Sequence, residues 1–257
     1  MIRILGAGAW GSALAVLLAR PRDGVAPAEI ELIAHTATEA DSISSHHVSR
    51  RLPGISLPTG VRVRSVEEEL PPLDGRDLLV VAIPSEAIRN AISAAVSGDA
   101  SVVMASKGLS REGERVSELA VAAGVNPARL FTLSGPNLAR EIATGKPAAA
   151  VLASQAGRRE EVLAALTRPT FRIYLSEDPI GVEVAGALKN VLAIAVSGVR
   201  SLGYGENAAA ALLSRGVAEM ARLAEACGGR AESAFGLAGV GDLVLTASNT
   251  GSRNARL

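Results

Sequence analysis

Short apolar runs, "IRIL", "IELIAH", "LLVVAIP", "SVVMASKG", "LFTLSGP", "AAAVLAS" and "FRIYLSED", succeed one another before residue 178, and the first of them alternate with alanine-rich helical stretches. Strands that are apolar on nearly every residue must be covered on both faces, and parallel strands joined by helical crossovers achieve this. After "EDPIG" the strand signals thin out. From Gly181 to about Gly203, Val182, Ala185, Leu188, Leu192, Ala195, Val196 and Val199 recur at helical spacing. "ENAAAALLSRGVAEMARLAEACGG" reads as a second long helix stopped by its glycines. The pattern therefore predicts an α/β chain. A doubly wound, mostly parallel sheet is expected over residues 1–180 and an all-α unit over residues 181–257.

Composition narrows the function classes. Lys plus Arg equals Asp plus Glu at 26 each, so no net field favours nucleic acid or a membrane surface, although a local pocket can still take a small anion. Cys227 is the sole cysteine, which excludes an intramolecular disulfide and fits a reducing compartment. With three histidines, His46 and His47 adjacent, no metal site is expected. The chain opens directly in a strand-like run without a basic-then-apolar leader, and has no uninterrupted apolar stretch near the length of a membrane span. The expectation is a cytoplasmic protein without membrane insertion.

In "RILGAGAWGSALAVLLAR", Gly6, Gly8 and Gly11 match G-x-G-x-x-G between a strand and a helix expected from about Gly11. The first glycine permits a tight turn, the second lets a pyrophosphate approach the backbone, and the third allows helix–strand packing. The free N–H groups of the helix start then face the phosphates. In this context the pattern points to the dinucleotide turn of a Rossmann-type unit, the alternative being a plain glycine turn. An acidic residue is usual at the tip of the second strand, where it holds the ribose hydroxyls. Here Glu31 lies within the strand and His35 with Thr36 occupies the tip. The sequence thus shows no carboxylate to repel a 2′-phosphate. NADP or NAD is expected, with NADPH the favoured form.

Ligands in open α/β sheets sit beyond the carboxyl ends of the strands, so the loops "IPSEA", "SKGL" and "SGPNLARE" should meet over the glycine turn. Lys107 gives one of these loops a cation, with Gly108 leaving room beside it. Gly135 and Pro136 set a turn, and Asn137 is suited either to capping the next helix or to facing a ligand. In "GVEVAGALKNVLAIAVSG", Lys189 and Asn190 sit among small and apolar residues, and no carboxylate lies three or four positions from Lys189. A lysine in such company either snorkels or is buried, where desolvation and a nearby cation such as Lys107 lower its pKa. "GLAGVGDLVLTASNTGSRNARL" places Asp242 in a glycine-rich turn and Ser252, Arg253 and Asn254 at a helix start, an arrangement that can cup a phosphate or simply cap a surface helix.

Taken in order, "GAGAWGSALA", "VAIPSEAIR", "ASKGL", "SGPNLAREIATGKPAAAVLAS", "IGVEVAGALKNVLAIAVSG", "GYGENAAAALLSRGVAEMARL" and "GLAGVGDLVLTASNTGSRN" resemble the bacterial NAD(P)-dependent glycerol-3-phosphate dehydrogenases. The resemblance implies hydride transfer between dihydroxyacetone phosphate and sn-glycerol 3-phosphate, serving glycerophospholipid synthesis. It implies that Lys189 is the catalytic acid–base group. Lys107, Gly135, Asn137, Asn190, Asp242, Ser252, Arg253 and Asn254 would bind the phosphate-bearing substrate. Gly6, Gly8, Trp10, Gly11, His35, Lys107, Ala139 and Arg253 would bind the cofactor. His35 stands where members using NADP often carry Arg or His. The resemblance further implies a homodimer. Members continue for several tens of residues past the "SRN" segment, so the helical unit is expected to be incomplete at Leu257.

The chemistry is consistent without the family. Oxidising a secondary alcohol by hydride transfer needs a base for the hydroxyl proton and an anchor that fixes the reacting carbon, and a phosphate is such an anchor. Two other readings share parts of the pattern: a two-domain reductase of a keto acid such as ketopantoate, and a catalytically silent dinucleotide-binding sensor. A sensor has no use for a base beside an anion cup.

Overall fold

The structure, a computed structural model, describes residues 1–22, 28–95 and 99–248. Eight strands form one sheet: β1 (Ile2–Leu5), β2 (Ile30–Ala34), β3 (Val61–Ser65), β4 (Leu78–Val81), β5 (Ser101–Met104), β6 (Leu130–Ser134), β7 (Ala148–Ala153) and β8 (Phe171–Ser176). Their spatial order is β3-β2-β1-β4-β5-β6-β7-β8. All neighbours are parallel except β6 and β7. The chain leaves β1 in one direction for β2 and β3, then crosses to the other side of β1 for β4. That reversal opens a crevice at the carboxyl ends of β1 and β4.

Alternation along the strands divides the core in two. Ile2, Ile4, Leu32, Val80, Val103 and Leu133 face one layer, which α1 (Ala9–Leu18), α2 (Ala37–His46), α5 (Ala139–Ala143) and α6 (Arg159–Leu166) cover with Leu14, Leu17, Ile43, Ile142 and Val162. Leu5, Ile33, Leu79, Val81, Val102 and Met104 face the other layer, beneath α3 (Ile88–Ala95) and α4 (Val116–Ala122). Glu31 lies inside β2 and is fully buried, with its Oε2 2.5 Å from Nε of Arg3, its register partner on β1.

Beyond β8 the described chain is helical: α7 (Pro179–Ser201), α8 (Gly205–Ala226), α9 (Glu232–Phe235), a π-helical segment Leu237–Gly241 and α10 (Asp242–Ser248). A third cluster, including Val182, Ala185, Ala193, Met220, Ala234 and Leu243, joins these helices to Ala153 of β7. Asp178 begins α7. Its Oδ1 accepts from the Gly181 N–H at 2.9 Å and its Oδ2 from the Ser233 hydroxyl at 2.6 Å. By length and composition α7 could cross a membrane, with mean hydropathy 1.6, yet 56% of its most apolar window is buried within the molecule.

Four details differ from the sequence reading. The strand "VRVRS" is an addition, Arg62 and Arg64 at the sheet edge denying it the continuous apolar run of a central strand such as β4. β7 reverses direction because the short α5 returns the chain beside β6 instead of carrying it over the sheet. The first helix begins at Ala9, not near Gly11. Asp242 opens α10 and is not part of an irregular turn.

Candidate functional site

The glycine turn lies at the β1–β4 reversal. Gly6 has φ +112°, and a Cβ there would lie 2.6 Å from the Ala82 carbonyl oxygen of the neighbouring strand end. A Cβ on Gly11 would lie 1.9 Å from the Gly6 carbonyl oxygen. These two glycines are required by the fold itself. Gly8 differs: it starts α1 in ordinary extended conformation without a side-chain cap, and a Cβ there would meet nothing within 4 Å. The helix ladder begins with the Ser12 N–H on the Gly8 carbonyl, so the preceding N–H groups precede any intrahelical partner. The buried indole N–H of Trp10 also has no hydrogen-bond partner among the described residues. An open cradle, a free helix start and an orphaned donor together fit the pyrophosphate of a dinucleotide. Ala139 heads α5, which packs against α1.

At the tip of β2 the arrangement corrects one expectation. His35 is exposed and Thr36 caps α2, its hydroxyl accepting from the Glu39 N–H at 3.1 Å. Carboxylates are nonetheless present. Oε2 of Glu39 accepts from the His35 N–H at 3.0 Å, and Oε2 of Glu67 accepts from the Ala37 N–H at 3.0 Å. Glu67 arrives from just beyond β3, the strand the sequence pattern conceals.

Four segments distant in sequence meet at the carboxyl ends of β5 and β6. Lys107, three residues past β5, donates through Nζ to the Gly135 carbonyl at 2.8 Å and to Oδ2 of Asp242 at 2.6 Å. Lys189 of α7 places its Nζ 3.2 Å from the same Oδ2 and donates to the Thr246 hydroxyl at 3.1 Å. Thr246, one turn along α10, in turn donates to the Asp242 carbonyl at 2.7 Å. Lys189 is 8% exposed and Asp242 3%. Two ammonium groups therefore share one carboxylate oxygen. Two cations on one carboxylate in partly desolvated surroundings suit an anion or an oxygen that becomes anionic. Sequence spacing did not single out Thr246, although its place one turn after Asp242 was readable.

Asn137 does not cap the following helix. Leu138 occupies the cap position, and both amide heteroatoms of Asn137 are buried without a partner among the described residues. That leaves the amide to a ligand. Asn190 is half-buried beside Lys189 on α7. Ser252, Arg253 and Asn254 lie outside the described residues.

Behind Lys107 a small cavity is lined by Ser106, Thr132, Ser134, Glu183 and Gly186. Burial pushes the Glu183 carboxyl up, while the hydroxyls of Ser117 and Thr132 and the charge of Arg115 oppose that rise. Its Oε2 accepts from Ser117 at 2.6 Å and lies 3.4 Å from Arg115, and its Oε1 accepts from Thr132 at 3.0 Å. The Ser134 hydroxyl has no partner among the described residues.

Comparison with known proteins extends these findings. Residues 1–159 match the family model described as "NAD-dependent glycerol-3-phosphate dehydrogenase N-terminus", and residues 178–257 match the corresponding C-terminus model. The chain is 42% identical over 262 residues to a glycerol-3-phosphate dehydrogenase [NAD(P)+] of Rhodospirillum rubrum, covering 100% of this chain and 73% of that protein. A Thermus thermophilus protein of the same name is 42% identical over 257 residues, covering 98% and 77% respectively. Among solved structures, the glycerol-3-phosphate dehydrogenase of Coxiella burnetii superposes with TM-score 0.87 at 35% identity, covering 99% of this chain and 78% of that one.

Proposed function

The chain belongs to the NAD-dependent glycerol-3-phosphate dehydrogenase family, and from that premise we propose how its residues divide the reaction. It is an NAD(P)-dependent oxidoreductase interconverting dihydroxyacetone phosphate and sn-glycerol 3-phosphate. When bound, the nicotinamide supplies or accepts the hydride. The glycine turn with Gly6, Gly8 and Gly11, together with Trp10 and Ala139, holds the dinucleotide.

Lys189 is the acid–base group. In reduction its Nζ gives a proton to the substrate oxygen as the carbonyl becomes an alkoxide; in oxidation it takes the hydroxyl proton. Asp242 orients this ammonium and that of Lys107, and the shared positive charge stabilises the developing oxyanion. Gly135, Asn137 and Asn190 complete the substrate pocket. Ser252, Arg253 and Asn254 anchor the phosphate, with Arg253 also reaching the cofactor. The observation that carries this reading is the convergence of Lys107 and Lys189 on one oxygen of Asp242, beside the glycine turn's sheet edge.

The proposal extends to a dinucleotide-binding unit over residues 1–180 and a helical substrate unit over residues 181–257. It includes a cytoplasmic homodimer that supplies sn-glycerol 3-phosphate for glycerophospholipid synthesis, points supported by the family likeness alone. Both cofactor forms are proposed: His35 supports the 2′-phosphate of NADPH, while Glu39 and Glu67 oppose it. The test follows NADH and NADPH absorbance with dihydroxyacetone phosphate, with ketopantoate in parallel. Oxidation of either cofactor by dihydroxyacetone phosphate and not by ketopantoate is expected. Turnover with ketopantoate alone, or cofactor binding without any turnover, overturns the reading.

A further inference from the structure

We infer that Glu183 is a positioning residue for the reaction, fixing the register of α7 against the sheet so that Lys189 reaches Asp242 and Lys107. This rests on the assignment of Lys189 as the acid–base group. Small buried residues, Ala185, Gly186 and Ala187, stand on α7 beside the buried Val182 and Val184. Gly186 comes so close to β6 that a Cβ there would stand 2.9 Å from the Ser134 hydroxyl. A glycine at the point of contact lets the helix approach closely but supplies no side-chain knob there to define its axial and rotational position.

Glu183 supplies what the small residues lack. Its two carboxylate oxygens take hydrogen bonds from Thr132 on β6 and Ser117 on α4, with Arg115 at the start of α4 alongside. One buried side chain thus ties α7 at once to a strand of the sheet, β6, and to a helix that covers it, α4. A shift of the helix by one residue parts the buried carboxylate from both hydroxyls and leaves it unpaired in the interior. Lys189 stands six residues along the same helix, about 9 Å farther on. Any rotation or slide at Glu183 is carried rigidly to its ammonium. The cavity that Glu183 lines also touches Lys107, so that lysine borders on the tie.

The test compares Glu183→Leu, which keeps side-chain volume but removes the tie, with Glu183→Gln, which keeps hydrogen-bonding capacity. Steady-state turnover of dihydroxyacetone phosphate and the NADH dissociation constant are measured for each. Glu183→Leu is expected to lower kcat about ten- to hundredfold, as misplacement of a reacting group does, with NADH affinity unchanged; Glu183→Gln should restore kcat to within about threefold of the wild type. Should Glu183→Leu fail to fold, Thr132→Val removes one tie from the strand side, and a severalfold fall in kcat at unchanged NADH affinity is expected. Wild-type kcat in whichever of the two folds overturns the inference. So does loss of kcat in step with cofactor affinity, or a Glu183→Gln variant as impaired as the leucine variant. An inactive wild-type protein instead removes the functional reading on which the inference rests.

Discussion

The glycine turn and the lysine cluster lie along the same edge of one sheet, yet they are opposite ways of building a site. The turn is continuous in sequence, made of backbone, and shaped by the absence of side chains at Gly6, Gly8 and Gly11. The cluster joins four separate segments, three through side chains and one through the Gly135 carbonyl, and its closest ion pair joins residues 135 positions apart. A backbone site is damaged by adding atoms. A side-chain site is damaged by removing charge, and only after the whole fold has brought the charges together.

Substitutions should separate the two kinds of damage. The largest expected effect is on the cluster: Lys189→Ala should lower kcat by about 10³-fold or more while NADH binding, followed by fluorescence titration, stays intact. Comparable loss of NADH binding would mean that the two regions are not independent. Within the turn, Gly8→Ala and Gly11→Ala should part company. An alanine at 8 meets no atom, so the melting temperature should fall by no more than about 3 °C while cofactor affinity drops about tenfold. At 11 the new methyl collides with the Gly6 carbonyl, and stability should fall by about 1–3 kcal/mol as well. Equal melting temperatures for the two variants would contradict the distinction between ligand-facing and fold-facing glycines. The smallest effect belongs to the tip of β2. Glu67→Gln removes an exposed charge near the expected 2′-phosphate and should raise kcat/KM for NADPH relative to NADH about two- to fivefold. An unchanged ratio would place the ribose elsewhere.

The same contrast explains what could be read without coordinates. Five strands that wind around the crevice, β1, β2, β4, β5 and β6, announce themselves because both faces are buried and most of their residues are apolar. β3 pairs on one side only, and Arg62 and Arg64 disguise it. Missing that strand also hides Glu67, since its approach to Ala37 depends on β3 lying beside β2. Lys189 was conspicuous because its helical neighbours offer it no carboxylate. Its partner Asp242 was legible only through the family resemblance, because it reaches Lys189 through the packing of α10 on α7. The tie at Glu183 is hidden for the same reason: its partners Ser117 and Thr132 lie 66 and 51 residues away. Asn137 shows the converse limit, since local spacing suggested a cap and the fold left its amide without one.

The central claim is that Lys189 and Asp242 act as one unit through the contact at Oδ2, and a double-mutant cycle on kcat tests it most directly. Lys189→Ala, Asp242→Asn and the double variant are compared with the wild type using dihydroxyacetone phosphate at saturating NADH. If Asp242 works through Lys189, Asp242→Asn should lower kcat about 10²-fold in the wild type but by less than about threefold once Lys189 is gone. Losses that multiply in the double variant would show two independent contributions and contradict the shared-oxygen mechanism.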